Sequence, residues 1–117
     1  MIKRYEPHTI NHRVVEHNGV LYFGGLVADD KSKDMKGQTE EICAKIDALL
    51  AKVGSSKDKL LTAMLYITDF SQKDGMNEAW LEWLPAEILP TRATIGVAEL
   101  GKGILIEVVV SAAACSR

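Results

Sequence analysis

The sequence predicts a single α+β domain in which a mixed β-sheet carries two helices on one face. Strand-like segments lie at both ends of the chain, and two stretches of helical periodicity lie between them. Hydrophobic residues make up 47% of the 117 residues and charged residues 26%, a balance typical of a globular protein. We therefore expect one domain spanning residues 1–117, with the element order β-β-β-α-β-α-β-β.

The N-terminal third is predicted to form antiparallel strands. Residues 2–6 alternate apolar and polar side chains, as expected of an edge strand. Asn18-Gly19 then separates two segments rich in β-branched and aromatic residues, which is a strong signal for a type I′ hairpin.

Helical spacing appears twice in the middle of the chain. Apolar residues recur at three- and four-residue steps through residues 34–53, and Gly54 is a suitable C-terminal stop. The apolar run "LLTAMLYITDF" follows and predicts a strand inside the sheet. In a second helix, Trp80 and Trp83 share one face, which indicates packing rather than ligand stacking.

The last two predicted strands are "TRATIGVAEL" and "GILIEVVVSA", with the turn residues Gly101-Lys102-Gly103 between them. Strand residues alternate across a sheet, so the register of this pair decides which side chains share a face. A hairpin loop of even length places Arg92 and Glu107 on the same face, whereas an odd loop without a bulge separates them. The sequence leaves both registers open.

In several interior strand segments, the side chains on both faces of the sheet are apolar, so both faces must be buried. Two helices cover one face only. Because a stable monomer rarely leaves an apolar patch of that size in water, we expect self-association that covers the second face. Glu107 would then lie near a subunit junction, where a cleft can admit a small molecule.

Charge and composition exclude several kinds of partner. The net charge is −2 and no basic cluster occurs, so we expect no nucleic-acid partner. No apolar run reaches the roughly 18 residues of a membrane span, and no signal segment is evident, so we expect no membrane partner and a cytoplasmic location. Cys43 and Cys115 lie outside any metal-binding spacing, so no metal site is expected.

Glu107 is the one charged residue inside the apolar run 103–114. A buried carboxylate needs a cation, hydrogen-bond donors or water, because otherwise it takes up a proton. Arg92, which follows Pro90, offers planar donors suited to a carboxylate of Glu107 or of a ligand. An ion pair that only fixes strand register explains the same two residues and stays open as the alternative.

The segment "LPTRATIGVAELGKGILIEVVVSAAA" resembles the C-terminal signature of the Rid (RidA/YjgF) family of reactive-intermediate deaminases. "VLYFGG", the first helix, "LLTAMLYITDF" and "GMNEAW" extend this resemblance in the same order. Its most specific part is Pro-x-Arg followed by Glu fifteen residues later, here Pro90, Arg92 and Glu107. The resemblance implies a chorismate-mutase-like fold, a homotrimer with ligand clefts between subunits, and no metal or organic cofactor.

The activity implied by the resemblance is hydrolysis of small enamines and imines, such as 2-aminoacrylate or 2-iminopropanoate, to a 2-oxo acid and ammonia. It assigns Arg92 to the substrate carboxylate and Glu107 to the attacking water, and it adds Thr94 and Gly24 as substrate-binding residues. The chain departs from the family pattern in two places. Archetypal members carry Pro-Tyr-Ser-Gln before the first hairpin, where this chain reads "INHRVVEHNG", and they carry Ser-Gly-Gln where this chain has Gly24-Gly25-Leu26. A non-catalytic trimer that binds small carboxylates or regulates a partner is therefore the second hypothesis. Ribonuclease activity is a third, which the acidic pI disfavours.

Overall fold

A computed structural model describes residues 1–115 and confirms the predicted α+β order of elements. Neither of its two helices is long and apolar enough to cross a membrane within those residues. The strands are β1 (Lys3–Pro7), β2 (His12–His17), β3 (Val20–Phe23), β4 (Leu60–Ile67), β5 (Thr91–Gly96) and β6 (Ile106–Ala113). The helices are α1 (Met35–Lys52) and α2 (Lys73–Trp83).

The six strands form one mixed sheet in the order β1-β2-β3-β6-β4-β5. Strands β4 and β5 are parallel, and the other neighbours are antiparallel. The parallel pair follows from α2, because a helix between two strands acts as a crossover connection that returns the chain to the same end of the sheet. The expected β5–β6 hairpin is therefore wrong. Strand β4 lies between them, and neither register considered for that hairpin applies.

The β2–β3 hairpin confirms the type I′ turn that was predicted at Asn18-Gly19. Asn18 and Gly19 have φ angles of 52° and 79°, and the residues on either side of them, His17 and Val20, are paired. Two consecutive left-handed residues define the type I′ turn, whose twist matches that of the strands it joins. Strand β1 lies at the sheet edge, as expected.

Both helices cover the same face of the sheet. Helix α1 begins where the Asp34 side chain accepts a hydrogen bond from the Gly37 N–H, and it ends before Gly54, whose φ of 75° suits the predicted stop. The core between helices and sheet contains the buried face of every interior strand and a matching face of each helix. Its fully buried large side chains include Leu21, Met35, Ile42, Ile46, Leu50, Leu65, Ile67, Met76, Leu84 and Ile106.

The other face of the sheet carries apolar side chains, and no helix of the described part of the chain packs over them. Tyr22 is 54% exposed and Ile95 is 38% exposed, although both project from paired strands. Val109 and Met64, which pair with each other, lie between Tyr22 and Ile95 on this face and are only partly buried. We call this surface, which also carries Tyr66, the open face.

Gln38 fastens the β5–β6 connection to helix α1. Its side chain is fully buried, and its amide nitrogen donates to the carbonyl oxygens of Lys33 and Gly103 at 3.1 and 2.9 Å. Its side-chain oxygen accepts from the Leu105 N–H at 2.9 Å. These bonds hold the chain just before β6, the strand that carries Glu107.

We expect Gln38→Ala to lower the free energy of unfolding by about 3 kcal/mol, because it leaves buried backbone groups without partners. The exposed neighbour Glu40 serves as a matched control, and Glu40→Ala should cost less than about 0.5 kcal/mol. Urea unfolding curves of both variants measure the difference. Equal effects in the two variants would show that the Gln38 hydrogen bonds contribute nothing net.

Candidate functional site

Arg92 lies on the edge strand β5 and points toward the helices. Its neighbour across the β4–β5 ladder is Ala63, which is buried beneath the helices, and cross-strand neighbours share a face. The Arg92 Nη2 donates a 2.7 Å hydrogen bond to Asn77 Oδ1 on α2. The guanidinium carbon also lies 5.9 Å from the ring centre of Trp80, within cation–π range. Helix α2 therefore fixes the direction of the guanidinium.

The Arg92 guanidinium has no counter-ion within residues 1–115. No carboxylate there lies within 4 Å of it, and Asn77 is its only hydrogen-bond partner among those residues. Partial burial lowers the pKa of Arg92, but an arginine stays protonated at neutral pH. Thr94, two residues along β5, lies on the same side of the strand. The group is thus a partly desolvated cation with donors free to bind an anion.

Glu107 lies on the open face. It is paired with Tyr66 of β4 and alternates with Ile106 and Val108, which are buried against the helices. Within the described part of the chain, no cation lies within 4 Å of its carboxylate. The half-buried carboxylate keeps contact with water, which removes the need for a partner inside one protomer.

Gly24-Gly25 forms a bulge opposite Glu107's strand. Tyr22 pairs with Ser111, and the next bridge joins Leu26 to Val108. The chain therefore advances four residues from Tyr22 to Leu26 while β6 advances only three between Val108 and Ser111. One extra residue on one strand defines a β-bulge, a feature that is common beside active sites. The Gly24-Gly25 pair is the type of sequence that permits such a bulge.

The bulge makes room for the Glu107 side chain. A Cβ atom at Gly25 would overlap the carboxylate, with Cδ of Glu107 at 2.8 Å and Cγ at 3.1 Å. Gly24, by contrast, lies against Asn11, whose side-chain nitrogen would be 3.2 Å from a Cβ at that position. Gly25 is therefore the glycine on which the orientation of Glu107 depends.

Arg92 and Glu107 lie on opposite faces of the same sheet. Arg92 continues a row through Ala63 to Val110 of β6, and Val110 is buried under the helices. Glu107 lies three residues from Val110 on the same strand, so it projects to the other side. The expected meeting of the two charges does not occur within one chain. A site that uses both groups needs a second copy of the chain.

Sequence reasoning gave Asn77, Trp80 and Gly25 no part in the site. Trp80 is 2% exposed, which confirms its packing role, and its ring also lies beneath Arg92. Asn77 precedes Trp80 by three residues on α2, a spacing that places two side chains on one helix face. That spacing, together with the Gly-Gly pair after a strand, was the available signal.

Cys43 is a packing residue. Burial raises the pKa of its thiol to about 12, so it stays protonated and unreactive at neutral pH. Within residues 1–115, no group of three or more histidine, cysteine or acidic side chains is arranged to hold a metal ion.

Known proteins resemble this chain along nearly its whole length. The family model described as endoribonuclease L-PSP matches residues 1–114. A RutC family protein of Haemophilus ducreyi is 34% identical over 97% of each chain, and the RutC family protein YoaB of Escherichia coli is 35% identical over 86% of this chain and 87% of its own length.

Solved structures share the fold. The crystal structure of an uncharacterized Pseudomonas aeruginosa protein superposes with a TM-score of 0.92 at 32% identity, and the match covers 97% of this chain and 99% of that one. A member of the YjgF protein family from Neisseria meningitidis superposes with a TM-score of 0.93 at 26% identity, covering 100% of this chain and 98% of its own. These similarities confirm the family resemblance and the fold expected from the sequence.

Proposed function

The chain belongs to the endoribonuclease L-PSP family, which includes RutC and YjgF (Rid) proteins, and on that basis we propose that it deaminates small 2-imino acids. The reaction adds water across the C=N bond of an imine such as 2-iminopropanoate and releases a 2-oxo acid and ammonia. Enamines such as 2-aminoacrylate enter after tautomerising to the imine. No metal or organic cofactor takes part.

The observation that carries this proposal is a pair of charges without ionic partners among residues 1–115 of one protomer. Within that range, Arg92 is a partly desolvated cation without a carboxylate, and Glu107 is a carboxylate without a cation. They lie on opposite faces of one sheet. Packing one copy's Glu107 face beside another copy's Arg92 edge would bring the two charges into one cleft.

The open face supplies the driving force for that assembly. Its exposed aromatic and aliphatic side chains, Tyr22 and Ile95 among them, gain free energy when removed from water. Three copies arranged about a threefold axis would cover all three open faces and create three equivalent clefts. We therefore propose a homotrimer as the active form.

In each cleft, Arg92 would bind the substrate carboxylate through two parallel hydrogen bonds. Asn77 and Trp80 hold the guanidinium, so the position of the imine carbon is fixed before water attacks. Glu107 of the neighbouring copy would take a proton from that water as its oxygen bonds to the imine carbon. The electron pair of the C=N bond moves to nitrogen, which receives the proton that Glu107 took from the water. The resulting carbinolamine then breaks its C–N bond as its hydroxyl proton passes to nitrogen, which gives the 2-oxo acid and ammonia.

Further contacts to substrate would come from the two remaining predicted positions. Thr94 lies on the Arg92 side of β5, and backbone groups beside it could contact the substrate nitrogen. Gly24 belongs to the bulge on the Glu107 side. Each half of the cleft therefore has one charged residue and one smaller neighbour.

Ammonia release from freshly generated 2-aminoacrylate tests the function directly. The protein should accelerate this release well above the rate in buffer. An unaccelerated rate combined with calorimetric binding of a 2-oxo acid would instead establish the rival function, a non-catalytic carboxylate-binding trimer. Ribonuclease activity has less support, because the net charge of −2 does not favour a phosphate backbone.

We expect Gly25→Ala to reduce turnover by about 100-fold, because displacement of a reacting group by about 1 Å has an effect of that size. The new Cβ meets the flexible end of Glu107 rather than backbone, and Gly25 is not among the residues with positive φ. The melting temperature should therefore change by only a few degrees. Gly75→Ala on α2 is the matched control and should keep wild-type turnover. Unimpaired turnover in Gly25→Ala would remove the proposed link between the bulge and catalysis.

A further inference from the structure

A groove runs from the Gly24-Gly25 bulge along the space between β1, β2 and helix α1. It consists of a cavity of about 480 Å³ beside the bulge and a second of about 350 Å³ beyond it. The two cavities share four lining residues, which makes them one continuous surface. The shared residues are Arg13, Leu26, Asp29 and Lys45.

All but one of the cations in this groove already have a partner. Lys45 bonds to Asp29 at 2.8 Å, and Lys52 bonds to Glu6 at 3.1 Å. No carboxylate within the described residues lies within 4 Å of Arg13, which is exposed. The hydrogen bond from Lys45 is the main reason that the pKa of Asp29 lies below its usual value, and Arg13 makes the smallest contribution. Among the residues that the structure describes, the groove thus has one positive charge without an ion pair, Arg13, and is complementary to a single anionic group.

Arg13 is also close to the catalytic half-site. Its carbonyl oxygen accepts a 2.9 Å hydrogen bond from the Gly24 N–H, so the two residues are neighbours on adjacent chain segments. The next residue, Gly25, both lines the larger cavity and contacts the Glu107 side chain. Glu107 lines neither cavity, so Gly25 is the residue that connects the groove of Arg13 to the carboxylate.

The size of the groove indicates a substrate longer than three carbons. A cavity of about 480 Å³ lies within the range of sites for much larger ligands than 2-iminopropanoate. Its lining is mixed, because His8, Thr9 and Asn11 of the β1–β2 turn are polar whereas Ile10, Leu26 and Val27 are apolar. A preference for a charged substrate chain would therefore come from Arg13 rather than from the lining as a whole.

We propose that Arg13 binds a second carboxylate, so that the preferred substrates are four- or five-carbon 2-imino dicarboxylic acids. The proposal rests on the proposed deaminase function. Arg92 of one copy holds the carboxylate next to the imine, while Arg13 and Glu107 of the neighbouring copy take the distal carboxylate and the water. Charge-assisted hydrogen bonds to arginine are the strongest polar contacts available to the distal group.

Arg13→Gln tests this proposal by its effect on two substrates generated in situ with amino-acid oxidases. We expect kcat/KM for the imine of aspartate or glutamate to fall by about 30-fold, the effect of one lost charge-assisted contact. For 2-iminopropanoate it should change less than about twofold, because that substrate has no group that reaches Arg13. Arg4→Gln, on the exposed edge strand β1, makes the same chemical change away from both cavities and should affect neither substrate.

An equal change for both substrates, or no change for either, would overturn the proposal. Calorimetry separates this result from a failure of the deaminase function. If neither imine is hydrolysed, wild-type protein should still bind the 2-oxo diacid more tightly than pyruvate, and Arg13→Gln should remove that preference. Equal binding of diacid and monoacid by the wild type would refute the Arg13 subsite whatever the catalytic result.

Discussion

Arg92→Ala should reduce kcat/KM for 2-aminoacrylate hydrolysis by about 100- to 10,000-fold. In the proposed cleft, the substitution removes two charge-assisted hydrogen bonds to the substrate carboxylate, and each such bond contributes about 1.5–3 kcal/mol. Because the same contact is present in the bound product, the dissociation constant for a 2-oxo acid should rise as well. Ammonia release and calorimetry measure the two effects.

Two further variants show whether the loss of activity comes from the Arg92 guanidinium itself. Arg92→Lys keeps the charge but loses the planar fork and the stacking on Trp80, so it should recover only part of the activity. Arg4→Ala removes an exposed arginine from β1 and should leave turnover unchanged. Wild-type turnover in Arg92→Ala would show that the anion is bound elsewhere.

Glu107→Gln should lower kcat by about 100- to 10,000-fold, the usual contribution of a general base. The amide has nearly the shape of the carboxylate and still fits over Gly25, but it cannot accept a proton from water. Binding of the 2-oxo acid should therefore stay within about threefold of wild type, since Arg92 is intact.

Glu99→Gln is the charge-matched control, because Glu99 is exposed in the β5–β6 connection. It should keep full turnover. If Glu107→Gln also keeps its turnover, the proton is transferred by another group. If it loses 2-oxo acid binding together with kcat, Glu107 contacts the ligand rather than the water.

Local signals in the sequence predicted most of the fold. Asn18-Gly19 requires two left-handed residues whatever the rest of the chain does, so its hairpin could be predicted from two letters. Apolar spacing predicted α1 in the same way. The β5–β6 hairpin failed because the turn residues 101–103 suggest a local reversal, whereas strand order depends on long-range pairing. Strand β4 pairs with β5 in parallel and with β6 antiparallel, and no short segment encodes that choice.

The candidate site was predictable in its residue types but not in its geometry. Arg92 and Glu107 attract attention because isolated charges in apolar strands need a reason. Their positions on opposite faces follow from strand order, which the sequence did not supply. The role of Gly25 depends on a one-residue register shift that becomes visible only when β3 and β6 are paired.

Mixing the two inactive variants tests most directly whether Arg92 and Glu107 of different copies form one site. Arg92→Ala and Glu107→Gln chains are denatured together in equal amounts, refolded, and assayed for ammonia release from 2-aminoacrylate. In randomly mixed trimers, about a quarter of the subunit junctions combine an intact Arg92 with an intact Glu107, so the mixture should recover about a quarter of wild-type activity. A mixture as inactive as either variant alone, in trimers shown to contain both chains, would contradict a site shared between subunits.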